Sequence, residues 1–123
     1  MSWRFWVGAG AVAGFVAVAA GAFGAHALQS RLDPGSLAIF ETGSRYLLAH
    51  APALILTGIL AREGLATRAA GWAFLAGSVI FSGSLFALAL TGWRPLGAIT
   101  PLGGTALLAG WVLLAWQAFR ARR

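Results

Sequence analysis

Residues 78–104, SVIFSGSLFALALTGWRPLGAITPLGG, decide the fold. An apolar run that carries serines leads into a short segment of Gly, Trp, Arg and Pro, and a second apolar run opens at Thr100-Pro101. Each run can form a helix long enough to cross the roughly 30 Å of hydrocarbon in a bilayer. The stretch therefore predicts two membrane-spanning helices joined by a tight hairpin over residues 91–98, with Thr100 capping the second helix and Pro101 at its first position.

The composition of the whole chain also indicates a membrane protein. Of its 123 residues, 59% are hydrophobic and only 10% are charged, whereas a soluble domain carries about 25% charged residues. The nine basic residues are all arginines and lie at the ends of apolar runs, which is typical of membrane-surface anchoring rather than nucleic-acid binding. The chain has no cysteine, which excludes disulfides, thiolate nucleophiles and cysteine metal sites.

Four apolar runs predict an all-α fold, an integral membrane four-helix bundle in a single domain over residues 1–123. The first run exceeds the roughly 7–15 apolar residues of a signal peptide, so we interpret it as a retained helix. The predicted spans cover residues 5–28, 46–61, 69–90 and 101–119.

The second span differs from the others because its uncharged run is short of the roughly 20 residues needed to cross a bilayer. Asp33-Pro34 is a helix start, in which Asp caps and Pro occupies the first helical position. The residues that follow place Leu37 and Phe40 at helical spacing among polar side chains. We therefore expect an amphipathic helix from Pro34 to lead into the second span.

The arginines also predict an orientation. Four spans put both termini on one side, and that side carries the larger share of the arginines, which marks it as cytoplasmic. The side with the termini holds Arg4, Arg62, Arg68, Arg120, Arg122 and Arg123, and the other side holds Arg31, Arg45 and Arg94.

Glycines at three-to-four spacing predict where helices pack. Gly10 and Gly14 form a G-x-x-x-G pair, and Gly21 and Gly24 continue the stripe along the first span. Small residues let helix backbones approach closely in lipid. We expect Gly14, Gly21 and Gly24 to face other helices rather than lipid, and we assign Gly103 and Gly104 to helix packing as well.

Polar residues inside the spans are the candidates for a functional site. On the predicted spans, His26, Tyr46 and His50 lie at the outer membrane side, with Ser82 in the outer part of the third span and Thr100 at the opening of the fourth. Polar groups in lipid need partners. We therefore expect these five residues to form one polar site, with the start of the fourth span offering free N–H groups to an anion or lipid headgroup.

The role of the two histidines stays open at this point. Two histidines at similar depth could ligate haem or a metal or move protons, and near an interface each could equally bond a carbonyl or water. No third metal ligand is evident beyond Glu41, and whether a metal binds is left open. The tryptophans, like Tyr46, fit an interfacial aromatic belt; they are Trp3, Trp6, Trp72, Trp93, Trp111 and Trp116.

Four ordered motifs resemble one family and cover nearly the whole chain. They are Gly-Ala-Phe-Gly-Ala-His-Ala-Leu at 21–28, Tyr46 with His50, Phe-Ser-Gly-Ser-Leu at 81–85 and Leu-Gly-Ala-Ile-Thr-Pro-Leu-Gly-Gly at 96–104. The family is the small four-helix membrane proteins called domain of unknown function 423, with relatives in bacterial inner membranes and in animals. Phe86 departs from the Tyr usual in the family, and Leu47 from a common Gln. The resemblance implies the fold and a bacterial inner-membrane location, and it implies no activity.

Three functional hypotheses follow, and none is an enzyme, because no nucleophile, base and acid are brought together by spacing. The first is a structural or accessory membrane protein that binds lipids, a larger membrane complex or its own copies, with no nucleic acid and no cofactor. The second is a small oligomeric transporter. The third is a redox protein that binds haem or quinone through His26 and His50.

Overall fold

The computed structural model describes residues 2–121, which form four long apolar α-helices joined by short turns. Each described helix is long and apolar enough to cross a membrane. The predicted all-α membrane four-helix bundle is thereby confirmed. The helices are α1 (Trp3–His26), α2 (Pro34–Arg62), α3 (Arg68–Thr91) and α4 (Leu96–Arg120).

Consecutive helices pack against one another, α1 on α2, α2 on α3 and α3 on α4. The main core lies where the first three helices meet the middle of α4, and a smaller one holds Leu28, Phe40 and Ala89 near the opposite end. Large apolar side chains such as Phe15 and Leu102 stay exposed at 74% and 67%, as expected for faces that contact lipid. The members of the main core are Trp6, Ala53, Leu54, Ala70, Phe74 and Leu107.

Helix α2 is one continuous helix of 29 residues that begins at Pro34. A carboxylate oxygen of Asp33 accepts a hydrogen bond from the Ser36 backbone N–H at 2.8 Å, which makes Asp33 the cap. The amphipathic segment and the second span are therefore a single element. His50 lies 16 residues along α2 from Pro34, about 24 Å at 1.5 Å per residue. It is therefore well inside the helix rather than near the end that the sequence predicts to be at the outer membrane side.

The turn between α3 and α4 is shorter than the sequence predicts. Gly92 ends α3 in the left-handed conformation at φ 71°, with its N–H bonded to the Leu88 carbonyl at 2.8 Å. Helix α4 begins at Leu96, directly after Pro95. The predicted start at Thr100-Pro101 is wrong, because Pro95 already supplies the fixed φ that starts a helix, and Thr100 instead hydrogen-bonds the Leu96 carbonyl from inside α4.

Candidate functional site

His50 is a buried polar side chain, only 5% exposed, and both of its ring nitrogens lie within hydrogen-bond distance of a partner. Its Nδ1 lies 2.7 Å from the Tyr46 carbonyl oxygen, and its Nε2 lies 3.0 Å from the indole Nε1 of Trp111. An indole N–H can only donate, so Nε2 must be the acceptor. The hydrogen is therefore on Nδ1, which donates to the Tyr46 carbonyl, and His50 is a neutral imidazole with both nitrogens bonded.

Aromatic rings surround this imidazole. The ring centres of Phe74 and Trp111 lie 5.8 and 5.6 Å from it, and the Tyr46 ring is stacked at 6.5 Å with an interplanar angle of 12°. Tyr46 also contacts Phe81, with ring centres 4.9 Å apart. Between these rings and α4 lies a pocket of about 410 Å³, here called the α2–α4 pocket. It is also lined by Pro101, Gly104, Thr105, Leu107 and Leu108.

The structure brings Tyr46 and His50 together but does not bring the other three candidates to them. Ser82 Oγ donates to the Gly43 carbonyl at 2.7 Å, an α3–α2 bond. Thr100 Oγ1 lies 2.6 Å from Ser84 Oγ, an α4–α3 pair. Neither Ser82 nor Thr100 lines the α2–α4 pocket.

His26 lies exposed in the last residue of α1, at the level of the start of α2. The pairing of α1 with α2 fixes that level, since a Cβ atom on Gly24 would meet the Phe40 ring at 3.1 Å. The residues of α2 level with His26 are about 13 positions before His50, which is about 20 Å along the helix axis. The expected shared depth of the two histidines is therefore not found, because α2 runs without a break from Pro34 and its first turns, rather than those around His50, pair with the end of α1.

The environment of His50 limits what it can bind. A metal or haem iron at Nε2 would have to replace the bond from Trp111, and at Nδ1 the bond to the Tyr46 carbonyl. Within residues 2–121, no group of three or more His, Cys, Asp or Glu side chains could hold a metal ion.

Buried hydroxyls elsewhere in the bundle are bonded to carbonyls. Ser44 Oγ crosses from α2 to the Ala17 carbonyl of α1 at 3.0 Å. Thr57 Oγ1 bonds the Ala53 carbonyl and Thr67 Oγ1 bonds the Thr57 carbonyl, both at 2.8 Å. These bonds satisfy polar groups that lipid cannot solvate.

Ser78 is the exception. Its side chain is 3% exposed, and among the side chains of residues 2–121 its Oγ is the buried polar atom without a hydrogen-bond partner. It is the eleventh of the 24 residues of α3, so it lies near the middle of the span. The sequence shows several serines in this span, and nothing in it distinguishes the unpaired one.

Ser78 lines a groove of about 280 Å³ between α1 and α3, with α2 as its floor. Val12 on α1 and Val79 on α3 also line the groove and are both 64% exposed, so it opens onto the surface that faces lipid. We call it the α1–α3 groove. Its other lining residues include Ala9, Ala13, Val16, Leu47, Leu54, Ser82 and Gly83.

The glycines assigned to packing lie next to a neighbouring helix to different degrees: Gly10, Gly24 and Gly103 are buried, whereas Gly21 is exposed. A Cβ atom on Gly10 would lie 2.7 Å from the Ala51 carbonyl oxygen, and one on Gly103 would overlap the backbone of Phe81. For Gly14, Gly21, Gly24 and Gly104 the nearest atoms would be at 3.7, 3.2, 3.1 and 3.5 Å. Approaches as close as that at Gly10, with the nearest atom 2.6–2.9 Å from an added Cβ, also occur at Gly58, Gly71, Gly77 and Gly110, which the sequence analysis did not single out.

Two of the tryptophans assigned to an interfacial belt do not fit it, Trp6 because it is buried and Trp111 because it lies well inside its helix, although it is 44% exposed. Trp6 is 1% exposed and packs in the main core. Trp111 lies nine residues before the end of α4, about 14 Å by helix rise, where its N–H reaches His50. A tryptophan more than two turns inside a span is the signal that could have separated Trp111 from a belt residue.

Comparison with known proteins places the chain among small membrane proteins. A family profile described as "Protein of unknown function (DUF423)" matches residues 20–104. A UPF0382 membrane protein of Staphylococcus aureus is 38% identical over 112 residues, covering 90% of this chain and 92% of that protein. The corresponding protein of Bacillus subtilis is 40% identical over 114 residues (90% and 93%), and that of Haemophilus influenzae 38% over 113 (91% of each).

No solved structure matches the chain significantly. The sequence relatives span nearly the full length of the chain and are named membrane proteins of bacteria, in agreement with the four candidate spans. The chain is therefore a small multi-pass membrane protein that belongs to the DUF423 family, the UPF0382 membrane proteins.

Proposed function

We propose that the protein is a non-catalytic accessory component of a membrane complex and holds a transmembrane helix of a partner protein in the α1–α3 groove. The observation that carries the proposal is the α1–α3 groove on the lipid-facing surface, whose lining includes Ser78 with its buried and unpaired hydroxyl.

An unpaired buried hydroxyl costs about 1–3 kcal/mol, and a serine in a helix usually avoids this by bonding the carbonyl four residues earlier. Thr57 and Thr91 do so, whereas Ser78 does not. A partner helix offers backbone carbonyls and polar side chains at mid-membrane depth, where interhelical hydrogen bonds stabilise association. The Ser78 oxygen is buried beneath the groove, so an occupant must displace the covering side chains to reach it, and a helix can then supply the acceptor that a lipid acyl chain lacks.

The shape of the groove also suits a helix. Ala9 and Ala13 line its α1 side and Gly83 its α3 side, and a Cβ atom on Gly83 would meet nothing within 4 Å. Small residues at such positions let a second helix backbone approach closely. The valines on the rim, Val12 and Val79, supply apolar area for the contact.

The hydrogen bonds of His50 weigh against the haem alternative, because ligation would break a bond to Trp111 or to the Tyr46 carbonyl. The arginine excess at the end with the termini supports a bacterial inner-membrane orientation with both termini in the cytoplasm. Reporter fusions at the C-terminus and in the α3–α4 turn check this orientation, and a periplasmic C-terminus would contradict it.

Site-specific photo-crosslinking in native membranes tests the groove. A photoreactive residue replaces Val79 in the groove or, as a control, Val112 on α4, two valines of matched exposure at 64% and 67%. We expect one discrete protein adduct from position 79 and only lipid adducts from position 112. The adduct should disappear when Gly83→Phe fills the groove and should weaken with Ser78→Ala.

Two results would overturn the proposal. Lipid adducts alone from both positions would show that lipid fills the groove. An adduct between two copies of this chain would assign the groove to self-association and remove the accessory role.

A further inference from the structure

Two arginines share one tryptophan at the end of the bundle that carries the termini. The guanidinium carbon of Arg4 lies 5.6 Å from the centre of the Trp3 ring, and that of Arg62 lies 5.0 Å from the same ring. Both are within cation–π range, about 6 Å. Because one ring holds both, the two guanidinium carbons are at most about 11 Å apart.

The backbone fixes this arrangement. A Cβ atom on Gly58 would lie 2.7 Å from the Trp3 carbonyl oxygen, so the first turn of α1 and the end of α2 are in close contact. Arg62 is one helical turn after Gly58 and lies on the same face of α2. Helix packing therefore brings the Arg62 guanidinium to Trp3, and Arg4 reaches the same ring from the adjacent position of α1.

The surroundings of the pair are strongly basic. Of the three acidic residues in the chain, only Glu63 is at this end, whereas Asp33 and Glu41 are in the first half of α2 or just before it. Arg68 and Arg120 add two more positive charges at the same end. The screening length at physiological salt is about 8 Å, so these arginines together give this end of the bundle a local excess of positive charge that attracts anions.

A phosphodiester is the anion that this geometry fits. A guanidinium fork binds phosphate oxygens with two parallel hydrogen bonds, and the two arginines at Trp3 place two such forks in one region of the surface. Beside them lies an aromatic cluster, with Phe5 37% and Trp72 40% exposed and both rings within 6 Å of Trp6 or of each other. Aromatic rings of this kind are enriched at the headgroup level of bilayers.

We infer that Arg4 and Arg62, held over Trp3, form a binding site for the phosphate of an anionic phospholipid headgroup. The exposed aromatic cluster contacts the glycerol and upper acyl region of the same lipid. The site is separate from the α1–α3 groove, and it stands or falls independently of the partner helix proposed there.

Lipid retention by the purified full-length protein tests the site. Native mass spectrometry and thermal unfolding in detergent are recorded with added phosphatidylglycerol and with phosphatidylcholine. We expect wild-type protein to retain phosphatidylglycerol and to be stabilised by it, and Arg4→Gln/Arg62→Gln to lower the apparent affinity about tenfold, as loss of two charge-assisted forks implies.

The matched control is Arg68→Gln/Arg120→Gln, which removes two charges from the same end and also releases one arginine from a tryptophan, since Arg120 lies 5.9 Å from the Trp116 ring. It should change the affinity less than about twofold, because surface attraction falls off with distance. Arg4→Lys/Arg62→Lys keeps the charge without the fork and should fall between wild type and the Gln pair.

Equal losses in the Arg4/Arg62 and Arg68/Arg120 pairs would reduce the effect to the general positive charge of this end and overturn the site. No loss in either pair would do the same. Stabilisation by inorganic phosphate as large as that by phosphatidylglycerol would show that the ligand is a soluble anion and contradict the lipid assignment.

Discussion

Gly103→Ala tests whether the closest approach between α3 and α4 sets the stability of the bundle. The new methyl group would lie 2.7 Å from Phe81 Cα and 2.9 Å from Phe81 Cβ and would overlap the Phe81 nitrogen. Backbone atoms cannot rotate away as a side chain can, so α4 must move off α3. Overpacking of this kind costs about 1–3 kcal/mol.

Two further effects change the expected loss in the free energy of unfolding of Gly103→Ala. Alanine is the better helix former by about 1 kcal/mol, which offsets part of the cost. Moving α4 away also stretches the Ser84–Thr100 hydroxyl pair, now at 2.6 Å one turn from Gly103, and interhelical bonds in membranes contribute about 0.6 kcal/mol on average. We therefore expect Gly103→Ala to lower the free energy of unfolding by about 1–2 kcal/mol.

The assay is reversible unfolding in mixed micelles, followed by tryptophan fluorescence. Gly8→Ala is the matched control, because a Cβ atom there would meet nothing within 4 Å, and it should leave stability unchanged or slightly higher. If Gly103→Ala is as stable as Gly8→Ala, the helices separate at little cost, and the argument from close packing is refuted.

Two other predictions concern polar contacts. Trp111→Phe removes the N–H from which His50 Nε2 accepts a hydrogen bond, and it should destabilise the protein by about 0.6–2 kcal/mol in the same unfolding assay. Trp116→Phe, at an exposed site, should leave stability unchanged. Equal effects of the two substitutions would contradict a hydrogen-bonded His50. Hydrogen bonds from the Ser36 backbone and side chain lower the pKa of the Asp33 carboxyl below its ordinary 3.8, so its contribution to stability is present above that value and is lost as the pH falls through the lowered pKa. Unfolding measured from pH 6 down to pH 2 should therefore show a loss for wild type that is smaller in Asp33→Asn, because the amide caps without titrating, and the same loss in both would contradict the capping role.

The sequence was sufficient to predict the four helices because the length of each hydrophobic run and the positions of the arginines at its ends are read directly from the order of the residues. It was also sufficient for the start of α2, where Asp33-Pro34 is an unambiguous cap. The start of α4 was predicted too late because two prolines, Pro95 and Pro101, follow Gly92, the residue that ends α3, and either proline can begin the next helix. Sequence rules do not decide between them, whereas the bond from Thr100 to the Leu96 carbonyl does.

The candidate site could be predicted only in part for a different reason. Depth in the bundle depends on which turns of neighbouring helices lie side by side, and counting the second span from residue 46 placed His50 at the outer side, whereas α1 pairs with α2 from Phe40 onward. The partner of His50, Trp111, is 61 positions away and on a helix that packs mainly on α3. Which side of α4 faces α2 is set by glycine contacts such as Gly103 with Phe81, and no periodicity in the chain specifies that rotation.

The bond from His50 to Trp111 has a mechanical consequence for the bundle. It joins α2 to α4, which otherwise are held in place through α3, and so restrains the rotation of α4 about its own axis. The side between α1 and α3 has a groove and an unpaired hydroxyl where the other side has this hydrogen bond. Thermal fluctuations should therefore be unequal around the bundle: the face between α1 and α3 should open more readily than the face between α2 and α4, while α1 stays attached to α2 through the Ser44–Ala17 bond and the close approach at Gly10.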